Sequence, residues 1–432
     1  MKCIFGLCFF LLFTACTKDK NGPLSELDHG KLLYDTHCQT CHGVNGKGDG
    51  EMAKMLYPKP RNLASGIFKY RTTHGSIPDD IDLLQTMKMG VPGTSMPGWD
   101  VLPEKDWKAL LAYIKMLVPR LQEGRPGSRI EVPPMPTTSK VSVEAGRVLY
   151  ATIGCVACHG AEGKGNGMAA MSLRDAWGDI VPPRDLVRGP LKWGNTDQDL
   201  YRTLTLGIPG TPMPGYSRTL TQTEIWQLAS YVRSLQKMPP DTNPSSPKRY
   251  LIKSAVIHDI PGGYDASAWQ QTKPVPVFLH QLTSNSQSAE WLEVKTLANT
   301  KSIAFALRWE DTKADGDGVA LQFPAKTVDE PSELPFVGMG NIGKPVLLIK
   351  WDGEQIRAWK AEGMDRLTPY EVRGVVAKGV YDKGFWKVVI QMPRSLIESS
   401  DPNYISFATW DRSVSAEKSP QSFSEWMMTS FE

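Results

Sequence analysis

Cys38-Gln39-Thr40-Cys41-His42 returns as Cys155-Val156-Ala157-Cys158-His159, and the sequence around it returns too. Each pentapeptide runs into a glycine-rich loop, Gly43-Val44-Asn45-Gly46-Lys47-Gly48-Asp49-Gly50 and Gly160-Ala161-Glu162-Gly163-Lys164-Gly165-Asn166-Gly167. Further on, Gly93-Thr94-Ser95-Met96-Pro97-Gly98-Trp99 is matched by Gly210-Thr211-Pro212-Met213-Pro214-Gly215-Tyr216. The interval from His42 to Met96 is 54 residues, and so is that from His159 to Met213. The chain therefore carries a duplicated unit that keeps a histidine and a methionine in step. One departure is an extra residue in the second copy, Gly154, just before its pentapeptide.

Two cysteines at this spacing, closed by a histidine, form the attachment signature for c-type haem. The thiols add across the haem vinyl groups and the histidine becomes an axial iron ligand. The expected cofactor-binding residues are Cys38, Cys41, Cys155 and Cys158, holding two covalent haem c groups. The expected iron ligands are His42 and His159 on one side, with Met96 and Met213 opposite. Thioether ligation favours ferrous iron and raises the potential. The competing reading is a four-thiolate zinc site. The 113 residues between the pairs, and the histidine directly after each, argue for haem. Methionine is ordinarily a core gap-filler; Met96 and Met213 are set apart by their matched places in the repeat. His29, His37 and His74 have no counterpart in the second copy and read as ordinary polar residues. Lys47, Lys164 and the pair Arg61-Asn62-Leu63 and Arg184-Asp185-Leu186 read either as contacts to haem propionates or as turn residues.

A length of 432 residues fits about three domains, and a formal net charge of +3 gives no footing for nucleic-acid binding. At the N-terminus, Lys2 precedes an apolar run, Ile4 to Phe13, that is shorter than the roughly 20 residues needed to span a bilayer. Phe13-Thr14-Ala15-Cys16 then looks like a bacterial lipobox. Residues 1–16 are expected to be a lipoprotein signal peptide and Cys16 the lipid-bearing residue, with an ordinary signal peptide as the alternative. The mature chain is then expected in the bacterial periplasm, tethered to a membrane by acyl-chain burial. Cys3 and Cys8 would leave with the leader, so no cysteine is left for a disulfide.

Residues 24–120 and 141–238 read as two helical units. In the first, Ser25 can cap a helix carrying Leu32, Leu33 and Tyr34 to the motif. A last helix is expected after Pro103, with Trp107, Leu110, Leu111, Ile114, Leu117 and Val118 on one face. In the second, Thr221 with Glu224 makes a capping box ahead of Ile225, Leu228, Ala229, Val232 and Leu235. Proline-rich spacers at 119–139 and 238–247 separate the parts. Both units resemble class I cytochrome c. The resemblance implies an all-α domain in which first and last helices cross and the haem lies between them with one edge exposed.

From about Lys248 the periodicity changes to two. Ile303, Phe305, Leu307 and Trp309 alternate with Ala304, Ala306 and Arg308. Further strands are expected at Val319–Phe323, Val346–Trp351, Trp386–Met392 and Tyr404–Trp410. The region 250–432 thus reads as a mainly β, sandwich-like domain. Leu307-Arg308-Trp309-Glu310-Asp311, residues 317–324, Pro335-Phe336-Val337-Gly338-Met339-Gly340-Asn341, residues 384–390 and Ile405–Asp411 are landmarks of a second resemblance. They are similar to the haem b-binding γ subunit of ethylbenzene dehydrogenase and other type II DMSO reductase-like molybdoenzymes. That resemblance implies a haem b with Met339 and Lys418 as iron ligands, and iron–sulfur and molybdopterin subunits as partners. Arg412 after Trp410-Asp411 departs from the glycine common there.

The repeat together with these resemblances predicts a multihaem electron-transfer subunit of a membrane-associated periplasmic molybdoenzyme complex; among the reactions of that family, nitrite or nitrate conversion is the first expectation, by analogy of fold. It would exchange electrons with a soluble cytochrome, a quinol-linked complex or an oxidase. The alternative is a free-standing dihaem carrier with a β-rich docking module. A dihaem peroxidase would want one displaceable ligand, whereas both copies keep the methionine.

Overall fold

In the computed structural model, which describes residues 24–136, 140–188, 190–194, 196–237, 251–282, 289–311, 313, 317–397, 403–410 and 422–430, two helical domains precede a mainly β domain. The segment 1–16 with Cys16, and Lys418, lie outside the described residues. The first helical domain comprises α1 (Glu26–His37), α2 (Gln39–His42), α3 (Asp80–Met89), α4 (Glu104–Leu117) and α5 (Pro119–Glu123). The second comprises α6 (Lys140–Thr152), α7 (Cys155–His159), α8 (Asp197–Leu206) and α9 (Gln222–Leu235). No helix among the described residues is long and apolar enough to cross a membrane.

Local chemistry sets the helix ends. Ser25 Oγ accepts from the Asp28 amide at 3.1 Å and starts α1. Thr221 and Glu224 form the reciprocal box that starts α9: the Thr221 amide donates to the Glu224 carboxylate at 2.8 Å, and Thr221 Oγ1 accepts from the Glu224 amide at 3.3 Å. Pro103 stands at the N-cap, one residue ahead of α4, not in its first turn. Its fixed φ directs the chain into the helix, and its missing N–H costs nothing there.

In each domain the first helix crosses the last, α1 on α4 and α6 on α9. The crossings pivot on glycines in matched positions. A Cβ on Gly30 would land on the Ala109 carbonyl oxygen, and one on Gly146 on that of Gln227, well inside contact distance. Tyrosines pack just beyond each pivot, Tyr34 on Tyr113 with centroids 5.3 Å apart and Tyr150 on Tyr231 at 5.2 Å. Overpacking a backbone-to-backbone contact leaves no flexible neighbour to yield. Gly30→Ala and Gly146→Ala should each destabilise their domain by on the order of 3 kcal/mol, read as a lower denaturant midpoint at unchanged slope.

The β domain is built from two mixed sheets. One runs Leu251–Lys253, Met427–Ser430, Asn403–Trp410, Gly318–Pro324, Val346–Trp351, Ile356–Ala361, Leu367–Pro369, with Ser422–Phe423 and His280–Gln281 joined beside Asn403–Trp410. The other runs Val376–Asp382, Phe385–Pro393, Ser302–Glu310, Trp291–Ala298, Ala255–Val256, with Val275–Phe278 also on Trp291–Ala298. Phe305, Leu307, Val319, Leu321, Ile349, Val388, Ile390, Ile405 and Phe407 fill the core shared by the two sheets. Phe305 stands 6.3 Å from Phe407 and 6.4 Å from Phe323, centroid to centroid.

The central strands are covered on both faces, which the alternation did not show. Ala304 and Ala306, on the far side of Ser302–Glu310, pack with Trp269. On the far side of the larger sheet, Ala320, Val346, Leu348, Tyr404, Ala408 and Trp410 join one continuous apolar cluster with Leu33, Tyr34, Trp99 and Leu110 of the first helical domain. That domain therefore sits on the sheet. The Tyr57 amide donates to the Leu282 carbonyl at 3.1 Å, and His37 Nε2 lies 3.1 Å from the Ser332 carbonyl.

Candidate functional site

Each helical domain has an apolar cleft in which the repeated residues meet. Cys38, Cys41, His42 and Met96 line the first, with Tyr34, Leu56, Met87, Leu110 and Ile114 as walls. Cys155, Cys158, His159 and Met213 line the second, with Tyr150, Leu200, Leu204, Leu228 and Val232. The non-protein space is about 1280 Å³ in the first and 1410 Å³ in the second, mouths included. The two cysteine pairs are not brought together. Among the described residues no group of three or more His, Cys, Asp or Glu could hold a metal ion, so no four-thiolate site forms.

The short helices α2 and α7 present the motif to the cleft. Gly43 and Gly160, at φ 77° and 78°, end them in a backbone region that residues with a Cβ rarely adopt. Tyr34 Oη donates to the Gly43 carbonyl at 2.7 Å and Tyr150 Oη to that of Gly160 at 2.8 Å, tying each first helix to its motif. His42 Nδ1 is 3.0 Å from the Arg61 carbonyl and His159 Nδ1 is 2.9 Å from the Arg184 carbonyl. A carbonyl only accepts, so Nδ1 carries the proton in both and Nε2 keeps a lone pair for a metal. Burial pushes both imidazoles below the usual histidine range, which favours that neutral form. It also pushes the Cys38 and Cys41 thiols up to about 12.

The methionine loops share one geometry. Gly90 and Gly207 turn the chain at φ 61° and 66°. The Val91 amide donates to the Met96 carbonyl at 2.9 Å and the Ile208 amide to that of Met213 at 3.1 Å. Thr94 Oγ1 accepts from the Met96 amide at 3.2 Å and Thr211 Oγ1 from the Met213 amide at 3.3 Å. His29 and His37 do other work: His29 pairs with the buried Asp106 at 2.7 Å, and His37 packs on Trp99 with centroids 4.4 Å apart.

The structure adds residues that were not singled out in the sequence. Lys69 and Tyr70 line both clefts, so the clefts share a wall. Tyr70 stacks on Trp193 at 5.7 Å with the rings 7° from parallel. Lys69-Tyr70 follows Arg61 by eight residues, and Lys192-Trp193 follows Arg184 by eight. The two domains thus meet through equivalent surfaces. Arg61 lies against Gly210, and Arg184 against Gly93, each arginine filling the space where the other domain's glycine lacks a side chain.

This wall is rich in buried cations. Desolvation holds Lys69 well below the usual lysine range, lowers Lys192 to about 8 and lowers Arg61 to about 10. None of the three Arg61 side-chain nitrogens finds a hydrogen-bond acceptor, nor do Arg184 Nε, Tyr70 Oη and Trp193 Nε1. Orphaned buried donors beside a cleft whose lining holds no carboxylate are a poor arrangement for the protein alone. They fit a group that is apolar in its body and carries carboxylates on one edge, as haem does. The donor set, the paired thiols and the histidine lone pairs all suit that group.

The cytochrome c family model matches residues 27–117 and 143–236. The chain is 35% identical over 129 residues to cytochrome c55X of Stutzerimonas stutzeri, covering 87% of that protein and 28% of this chain. The chain belongs to the cytochrome c family. An electron-transfer role and covalently bound haem c come with that membership. It is also 27% identical over 221 residues to the CcoP subunit of the cbb3-type cytochrome c oxidase of Azospirillum brasilense, covering 50% of this chain and 65% of that one. The chain spans less than two thirds of the length of the oxidase subunits it matches. A chain of the Kuenenia stuttgartiensis reducing HAO-like protein complex is 34% identical with a TM-score of 0.48, covering 50% of this chain and 100% of that one.

The cytochrome c matches stop before the β domain. There Met339 is 2% exposed and belongs to the same apolar cluster as Phe336, Trp410 and Trp426. Its neighbours Gly338 and Gly340 line a trough together with Trp359 and Trp410 and with Glu51, Met52 and Met55 of the first cytochrome c domain.

Proposed function

We propose that this chain is a multihaem electron-transfer subunit holding two haem c groups and passing electrons directly between them. One haem would be anchored by Cys38 and Cys41 and ligated by His42 and Met96. The other would be anchored by Cys155 and Cys158 and ligated by His159 and Met213. The haems supply the one-electron ferric/ferrous couple. The chain supplies ligands, burial and a fixed separation. The observation that carries the reading is the shared wall of Lys69 and Tyr70, with Tyr70 stacked on Trp193. Packed protein there replaces water, so little solvent has to reorganise when charge crosses.

The test is a haem count and a rate. Pyridine haemochrome analysis should give two covalent haems per chain. After a one-electron reducing pulse, redistribution between the two should proceed at a rate independent of protein concentration. A concentration-dependent rate would rule out direct transfer. Arg61, buried and without an acceptor, would pair with the propionates of the first haem. Its positive charge disfavours ferric iron, so Arg61→Ala should lower that haem's midpoint by on the order of 59 mV, a tenfold change in a one-electron equilibrium.

We further place the chain in a periplasmic respiratory complex, tethered through a lipid on Cys16. Likeness to subunits named for cbb3-type oxidases supports membership of an assembly. The γ-subunit resemblance of the β domain favours a molybdoenzyme, with iron–sulfur and molybdopterin subunits as neighbours and nitrite or nitrate as substrate. A haem b on Met339 and Lys418 belongs to that reading. Met339 holds φ 74°, a conformation that costs a non-glycine residue about 1–2 kcal/mol and tends to persist at functional positions. Acid–acetone extraction should release one non-covalent haem per chain; release of none removes this part and leaves the relay standing.

A further inference from the structure

The two methionine loops are alike in backbone and unlike in surroundings. In the second domain Pro212, Pro214 and Gly215 are exposed; in the first their counterparts Ser95, Pro97 and Gly98 are buried. What covers them is the β domain. The Gly98 amide donates to Glu425 Oε1 at 2.8 Å. Ser95 Oγ donates to the Gln281 carbonyl at 2.6 Å. His280 Nδ1 lies 3.1 Å from the Thr94 carbonyl, which only accepts, so Nδ1 donates. His280 Nε2 lies 3.2 Å from Glu425 Oε1, and a proton shared between that nitrogen and the carboxylate ties the two bracing side chains together. The residues on either side of Met96 are thus held from a separate domain. His280 is 2% exposed and Glu425 9%. Among the described residues, the hydrogen bonds of the Met213 loop stay within its own domain. Serine at 95, where the other copy has proline at 212, is the trace of this difference in the sequence.

We propose that His280, Glu425 and Ser95 form a brace that positions Met96, so that the β domain fixes the axial ligand of one haem and leaves the other to its own loop. Buried hydrogen bonds resist the outward swing of the loop that loss of the methionine ligand requires. Met96 then dissociates less often than Met213, and small ligands reach the first iron less readily. These three are positioning residues: His280 and Glu425 stand outside the lining of the cleft, and Ser95, which is part of it, acts through its bond to Gln281. The inference rests on Met96 and Met213 being iron ligands.

The experiment titrates the full chain in its ferric form with imidazole, following the methionine-to-iron charge-transfer band. Met96→Ala and Met213→Ala assign the two contributions to that band. In the unmodified protein the Met213 site should bind imidazole on the order of tenfold more tightly than the Met96 site. Glu425→Ala should bring the Met96 site to the level of the Met213 site and leave the latter unchanged. Glu425→Gln, whose amide oxygen still accepts from Gly98, should restore most of the difference. Equal affinities at the two sites of the unmodified protein would overturn the brace without any variant having to fold. So would a Glu425→Ala protein in which both sites or neither move. A charge-transfer band absent from the unmodified protein would overturn the ligation reading itself, and the brace with it.

Discussion

Replacing Cys38 and Cys41 together by alanine should leave a chain with one covalently bound haem, and the same should follow for Cys155 with Cys158. On the proposed assignment each cysteine pair would be the covalent link for one cleft, so the two losses are independent and the fourfold variant should carry none. Intact mass and haemochrome absorbance of protein from a host competent for haem attachment read the outcome directly. The effect should reach stability too. The clefts are walled by residues such as Tyr34, Leu110, Tyr150 and Leu228, each at most 2% exposed. Without a bound group they enclose apolar space and orphaned donors, and a group that binds only the folded state stabilises it by mass action. Loss of one haem should therefore lower the unfolding free energy of its own domain by several kcal/mol. A double-alanine protein that keeps both haems covalently would refute the assignment.

Met96→Ala and Met213→Ala should each lower one midpoint potential and leave the other nearly unchanged. Sulfur ligation stabilises ferrous iron; a water or hydroxide in its place favours ferric iron. Axial ligation spans roughly 0.8 V across haem proteins, and losing one thioether should shift the affected couple by on the order of 0.1–0.3 V. A potentiometric titration of the unmodified protein and both variants separates the two steps. The charge-transfer band should fall by about one contribution in each variant. A variant with both the band and the potentials unchanged would reduce that methionine to a core filler.

The repeat made the composition of both clefts legible before any coordinates, because haem attachment demands a fixed local spacing and the duplication printed it twice. Helix boundaries followed from local chemistry as well, as at Ser25 and at Thr221 with Glu224. The wall between the clefts was less visible. His42 and Arg61 are 19 residues apart but His159 and Arg184 are 25, so a six-residue insertion takes Lys192-Trp193 out of register with Lys69-Tyr70. Measured from the arginines, the match reappears. The brace on Met96 left only Ser95 in place of proline in the repeat, and nothing that pointed to its partners. His280 and Glu425 are single residues in unrelated segments, and only tertiary packing brings them to the loop. The two-sided burial of the central strands was hidden for another reason: alanines such as Ala304 and Ala306 suit either solvent or a close neighbour.

Gly93 and Gly210 hold a consequence for how this duplication can change. Each admits the guanidinium of the arginine whose carbonyl holds the other copy's histidine. A side chain acquired at either glycine would evict an arginine encoded more than ninety positions away in one direction, or nearly one hundred and fifty in the other. Each half of the gene thus has a veto over drift in its twin, and substitutions along this seam should be found in pairs.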